Sequence, residues 1–334
     1  MARYTVTLLG YTDPWNTCSY PWRMFLRVIR DLGYPCEWRE ASQLQRDADR
    51  PRIFICWNEP DSARLVESGL VRKDDILLQK LTSLGKGCDE VNWGRDPLGF
   101  FQSWTWPLYR MVEQIHDSGI NIYAFGCRTN TELFPEKHRI ATKLRERIFW
   151  IPWGSSLFSW DEIQSAHPVM DGFNHDIGFV GSRWGVPGRG NIDAWEEYMA
   201  PLLKNHQAAL AGAGNPLGPV DDEKHKTILR GSRLCPILNA PSWRAERGVQ
   251  DRFWTVFSAG RFGVVDSLGI YDFFDPDEVV CETDPGEYAE KSLYYLEHVE
   301  AQLPYIEKVQ RKIREQYNYY TTWSSILQSI LGEN

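Results

Sequence analysis

Apolar and polar positions along the chain fall into two series of short β-branched runs alternating with amphipathic helices. The run Arg3–Tyr11, RYTVTLLGY, is apolar and ends at a glycine and a polar loop, TDPWNTCSYP. Trp22, Phe25, Leu26, Ile29 and Leu32 follow at helical spacing and stop at Gly33. Strand, loop, helix and glycine make half of a βαβ unit. CEWRE (Cys36–Glu40), RIFICW (Arg52–Trp57) and INIYAFG (Ile120–Gly126) predict further strands, with helices through DSARLVESG and RMVEQIHDSG. Such alternation predicts a parallel sheet covered by helices on both faces.

After a β-like segment, RIFWIPWGSS (Arg147–Ser156), and a polar stretch reaching His167-Pro168, a second series begins at HDIGFVGSRWGVPGRG. AALAGAG (Ala208–Gly214), LCPILNAP (Leu234–Pro241) and GRFGVVDS (Gly260–Ser267) read as its strands, DDEKHKTILRGS and VQDRFWTVFSAG as the helices between them. The region from PGEYAEKSL to the C-terminus is periodic and almost free of glycine, which predicts long helices. A chain of 334 residues exceeds what one core usually supports, so the boundary is placed near residue 165, dividing it into 1–165 and 166–334. The expected class is α/β, with two Rossmann-like doubly wound domains facing a cleft.

Composition narrows the functional classes. At 43% hydrophobic and 25% charged residues the chain can bury a core, and no apolar run approaches a membrane span. The N-terminus lacks a secretory signal pattern, and the expected location is the cytoplasm. Seven scattered cysteines without a C-x-x-C pair argue against a disulfide framework or zinc ribbon. A net charge of −8 supplies no general attraction to nucleic acid or anionic lipid. The unusual feature is 15 Trp, 15 Tyr and 15 Phe, rings that either fill cores or line sugar- and base-stacking sites.

Two stretches carry candidate chemistry. The loop Gly181, Ser182, Arg183 follows the apolar run Ile177–Val180, where glycine permits close backbone approach and exposed amides plus an arginine can hold a phosphate. It matches neither G-x-G-x-x-G with its flanks nor G-x-x-x-x-G-K-[ST], and it reads equally as a plain βα turn. In residues 238–269 a strand ends at Asn239, a loop with Ser242, Arg244 and Arg247 follows, and a helix carries Asp251 and Arg252 in its first turns before a strand ending at Asp266. Helix N-termini and arginine forks are common diphosphate anchors.

On IPWGSS, DIGFVGSRW, LGPVDDEKHKTILRGSRLCPILNAP, DRFWTVFSAGRFGVVDSLGIYDFF and EVVCETDPGEYAEKSLYYLEH, residues 150–330 resemble the glycosyltransferases of GT-B architecture. Among them the chain is similar to the group around the spore-maturation protein CgeB. The resemblance implies that the second domain binds a nucleotide sugar, with a UDP-sugar the expected donor, and that no cofactor is permanently bound. It also implies that an R-x-x-[DE]-x-x-x-x-G element touches the donor. Arg252 and Gly260 match that element, whereas Thr255 stands at its acidic place. The common E-x(7)-E pair is absent, since Trp254 lies eight residues beyond Glu246. No metal is implied; the leaving diphosphate is stabilised by arginine and backbone donors.

An inverting transferase needs a general base on the acceptor side. Asp13, after the first strand, is the first candidate; Glu59 and Asp61 in CWNEPD are the next, and each also reads as a turn or capping carboxylate. Retaining chemistry needs no such base. The run NWGRDPLGFFQSWTWPLYR places Trp93, Trp104 and Trp106 as candidate acceptor-binding rings, or as a packed core. The acceptor is left as a glycan, a lipid, a protein or a hydroxymethylated DNA base. The alternatives are a nucleotide-sugar epimerase or hydrolase of the same fold, and a sugar-binding protein without chemistry.

Overall fold

The computed structural model describes residues 4–10, 12, 20–45, 50–57, 61–81, 106–126, 135–152, 154–186, 189–241, 244 and 247–332. They divide into two compact units: the residues up to Leu81, Trp106–Pro152 and the last helix form one, and Gly154–Asn318 the other.

The first unit is a parallel sheet of six strands: β1 (Thr5–Leu9), β2 (Cys36–Arg39), β3 (Arg52–Cys56), β4 (Ile76–Lys80), β5 (Ile122–Gly126) and β6 (Ile148–Trp150). Its spatial order is β2-β1-β3-β4-β5-β6. β1, β3 and β4 are buried along nearly their whole length, as strands covered on both faces must be. β4, ILLQK, is not among the strands that the sequence pattern predicts. Helices Tyr20–Asp31, Asp61–Glu67, Trp106–Asp117 and Pro135–Lys143 lie between strands along the chain.

Much of the aromatic content is core. Phe25 meets Tyr319 and Trp323 edge-on, with ring centroids 5.0 and 4.8 Å apart, and Trp22 meets Trp57 at 5.0 Å. These contacts place the helix Tyr319–Leu331 in the first unit, although the expected division gave the whole C-terminus to the second. The other break falls after Pro152 rather than near residue 165, because Ser155 and the helix Trp160–Gln164 belong to the second unit.

That unit is built on β7 (His175–Val180), β10 (Ala208–Ala211) and β11 (Ser232–Leu234), all parallel, in the order β10-β7-β11. Single parallel bridges continue the sheet from Ile237 to Val265 and from Val265 to Cys281. The strand lines therefore run second, first, third, fourth, fifth, and the order reverses between β7 and β11. A short antiparallel pair, β8 (Gly185–Val186) with β9 (Arg189–Gly190), precedes a helical stretch containing the π-helical turn Trp195–Met199. The predicted long C-terminal helices are Pro285–Glu297, Leu303–Glu315 and Tyr319–Leu331. Among the described residues no helix is long and apolar enough to cross a membrane.

Candidate functional site

In open α/β sheets, ligands bind beyond the carboxyl ends of the strands where the strand order reverses. In the second unit that point lies between the end of β7 at Val180 and the Ile237–Asn239 line continuing β11. Arg252, in the first turn of the helix Asp251–Ser258, spans it. Its Nη1 donates to the Leu238 carbonyl and its Nε to the Val180 carbonyl at 3.4 Å, while the guanidinium carbon lies 4.4 Å from the Phe179 ring centroid. One side chain thus ties both strand ends. Burial lowers the Arg252 pKa, opposed by the charges of Asp251 and Asp266, and an arginine so placed stays protonated.

Gly181 is required by this packing. A Cβ built there would stand 2.3 Å from Arg252 Nη2. The expected cradle of free amides, however, is largely closed. Gly181 N–H donates to the Ala211 carbonyl at 2.9 Å and Arg183 N–H to the Ala213 carbonyl at 2.7 Å. Trp184 N–H donates to Asn191 Oδ1 at 2.8 Å. Across Gly181–Trp184, and among the described residues, these bonds leave the Ser182 amide without a hydrogen-bond acceptor. The Arg183 guanidinium turns to Glu196 and lies 5.6 Å from the Trp195 ring centroid, so it is tied to the following helical stretch.

Other expected donor contacts are committed to the fold. Asn239 is buried: its backbone N–H donates to both Asp266 carboxylate oxygens at 2.9 Å, its Nδ2 donates to Oδ1 at 2.6 Å, and its Oδ1 accepts from Gln250 N–H at 3.2 Å. Thr255 points inward, its hydroxyl 3.0 Å from that of Ser155, which is why no carboxylate fits this place without burying a charge. Gly260 ends the Arg252 helix. Arg261 N–H reaches the Val256 carbonyl and Gly260 N–H that of Phe257, the paired bonds of a Schellman stop, with Gly260 at φ 79°.

Two arginines flank the site differently. Arg244 Nη1 lies 3.7 Å from Asp266 Oδ2, and its guanidinium carbon is 4.6 Å from the Tyr198 ring centroid. Arg247, at φ 60°, donates to Asp272 Oδ1 at 3.4 Å and to the Leu268 carbonyl at 3.5 Å, so it binds the neighbouring loop instead of reaching the β7 end.

Two further titratable residues beside Arg252 are not marked by the sequence pattern as site residues. Asp266, fully buried, has its carboxyl pKa pushed up to about 6 by burial, against Arg244, Asn239 and Arg252. His225, on the helix Asp222–Arg230, is pushed down to about 4 by burial and by Arg252, and is neutral near pH 7. The available signal was an aspartate directly after the β-branched pair Val264-Val265, since a carboxylate at a strand end of such a sheet faces the ligand side or its supports.

In the first unit the strand order reverses between β1 and β3. In sequence, Asp13 follows β1 and Glu59 follows β3; both lie outside the described residues, as do Trp93 and Trp104. Asp61 is buried at the start of the helix Asp61–Glu67. Trp106 opens the helix Trp106–Asp117.

Residues 177–328 match the glycosyl transferase-like family. No curated protein matches the sequence. Among solved structures the chain is similar to the DNA modifying enzyme β-glucosyltransferase, whose substrate is uridine diphosphoglucose, at 9% identity and TM-score 0.55, over 98% of this chain and 99% of that one. It is also similar to the lipopolysaccharide outer core galactosyltransferase WaaB, at 9% identity and TM-score 0.52, over 99% of this chain and 100% of that one. TarM is similar at 13% identity and TM-score 0.54, over 84% of this chain and 54% of that one. At such identities the likeness is one of fold, and the fold is GT-B.

The segment 177–328 thus carries the match to the glycosyl transferase-like family, within a chain whose fold is GT-B. Transfer of a sugar from a nucleotide sugar is the activity that family and fold support.

Proposed function

We propose that this chain transfers a sugar from a UDP-sugar to an acceptor hydroxyl, with the donor diphosphate held at the β7 end by Arg252 and the Ser182 amide. The observation that carries this reading is the Arg252 guanidinium, fixed across two strand ends at the reversal of the sheet and lying against a glycine that leaves it room. A leaving diphosphate gathers negative charge in the transition state, and a preorganised cation there lowers the barrier without reorganisation. Arg244, the next cation along the same edge, adds to that field. Protein cations do this work in place of a metal ion in the proposed reaction.

The first unit supplies the acceptor side and, if the reaction inverts, the base. Asp13 and Glu59 follow the strands that flank the order reversal of its sheet, which is why they are assigned ahead of the buried Asp61. The acceptor is a hydroxyl of a glycan, lipid, protein or hydroxymethylated base.

Calorimetric titration of UDP, GDP, CDP, ADP and dTDP into wild type and Arg252→Ala, with and without EDTA, tests the donor site. UDP binding that survives EDTA and weakens about tenfold or more in the variant, a loss of about 1.4 kcal/mol, is expected. Equal affinity in both proteins would remove Arg252 from the site. Asp13→Asn should abolish transfer while sparing UDP binding; full transfer in that variant would point to Glu59 or to retaining chemistry.

A further inference from the structure

We propose that Asp266 is a positioning residue for Arg252, acting through Asn239 to hold the start of the Asp251–Ser258 helix where Arg252 can span the two strand ends. The proposal rests on the reading of Arg252 as the donor anchor and adds to it the residue that sets its place.

Asp266 itself is fully buried and cannot touch a donor. Its carboxylate accepts the Asn239 backbone amide and the Asn239 side-chain amide at 2.6–2.9 Å, which fixes the orientation of the Asn239 side chain. Oriented so, Asn239 Oδ1 accepts the Gln250 N–H at 3.2 Å. Gln250 is the N-cap of the Arg252 helix, and its own side chain makes no cap bond. In many helices a glutamate three positions on accepts this N-cap amide. Here Phe253 stands at that position, and Asn239, two residues beyond the Ile237 bridge, does it instead.

The circuit closes on itself. Arg252, two residues beyond Gln250, returns its Nη1 to the carbonyl of Leu238, the neighbour of Asn239. A helix start that drifted would carry the guanidinium off both carbonyls.

The polarity of the buried bonds makes a carboxylate the fitting group. Asn239 presents only N–H donors to Asp266, and a carboxylate accepts through both oxygens. An asparagine at 266 would offer one acceptor and aim an NH₂ group at donors, so that the Asn239 side chain turns and releases Gln250. Among the described residues, Arg244 at 3.7 Å, Arg252, Tyr288, Tyr198 and Cys281 are the other titratable groups that interact with Asp266. None of them replaces the Asn239 contact.

The test is a double-mutant cycle on the full chain, read as the dissociation constant for UDP in wild type, Asp266→Asn, Arg252→Ala and the double variant. Coupled residues depart from additivity and independent ones do not. Asp266→Asn should weaken UDP binding about tenfold, the worth of one lost buried polar bond, and should weaken it less than about twofold when Arg252 is already alanine. At saturating donor, the acceptor KM should stay at its wild-type value. The same factor lost in both backgrounds, or wild-type affinity in Asp266→Asn, would overturn the relay. Should Asp266→Asn not fold, Asn239→Ser gives the same cycle while keeping the backbone bond to the carboxylate. Unchanged UDP affinity in Arg252→Ala would overturn the donor-site reading, and the relay with it.

Discussion

Arg252 occupies the space that a side chain at Gly181 would need: a methyl group added at Gly181 would stand 2.3 Å from Nη2. The glycine that the sequence offers as a phosphate-approach residue is thus first a seat for an arginine. The loop's own amides are mostly bound within the protein, so the positive charge at the β7 end comes from a side chain supplied by a helix 71 positions later.

Gly181→Ala should therefore act like a mild Arg252 variant. The guanidinium must shift, losing one or both of its bonds to Val180 and Leu238, and overpacking of this kind costs about 1–3 kcal/mol. UDP affinity should fall about tenfold. Titration of UDP into the folded variant checks this, and unaltered affinity would show that the fork does not meet the donor.

Gly260→Ala should separate fold from site. At φ 79°, with the His167 carbonyl 2.2 Å from a built Cβ, alanine is strained twice over. A loss on the order of 2–4 kcal/mol is expected in urea unfolding, with UDP affinity unchanged in the protein that remains folded. A selective loss of UDP binding without destabilisation would restore Gly260 as a donor contact.

Thr255→Val should cost about 1 kcal/mol of stability through the lost hydroxyl pair with Ser155. Donor KM should be unchanged, because the side chain is buried. A several-fold rise in donor KM at unchanged stability would place Thr255 at the sugar after all.

Two groups beside Arg252 give opposite responses to pH. Asp266 has its folded pKa raised to about 6, so its contribution to stability is full below its ordinary value near 4 and is lost as pH rises toward 6. His225 has its folded pKa lowered to about 4, so its contribution is full above its ordinary value near 6.5 and is lost as pH falls toward 4. In the wild type the two slopes largely cancel between about pH 4 and 6. His225→Gln should unmask a fall in stability with rising pH over that window, and Asp266→Asn a rise. Urea midpoints measured at half-unit intervals check both signs, and parallel curves for all three proteins would refute the assignment.

How far the site was legible follows from which residues act locally. β1, β3, β5 and β7 follow apolar runs that contain β-branched residues, a character set by nearest neighbours, and the helices Tyr20–Asp31 and Asp222–Arg230 follow periodicity within a dozen residues. β4 was not legible because its three apolar residues are followed at once by Gln79 and Lys80, polar residues that the fold nevertheless buries. Arg252 was legible as a cation at a helix start. Its partners were not, since Val180 and Leu238 offer only backbone carbonyls, which look alike in every residue.

The sequence by itself determined the α/β class, the alternation, the helix-ending glycines and the presence of an arginine near the third strand line of the second sheet. Only the tertiary structure decided which polar residues remain available to a ligand. Asn239, Thr255 and Arg183 have side chains suited to a donor, yet each is claimed by a partner brought in from elsewhere in the chain: Asp266, Ser155 and Glu196. A hydrogen bond spends a donor wherever its acceptor comes from, and chain folding alone brings those acceptors within reach.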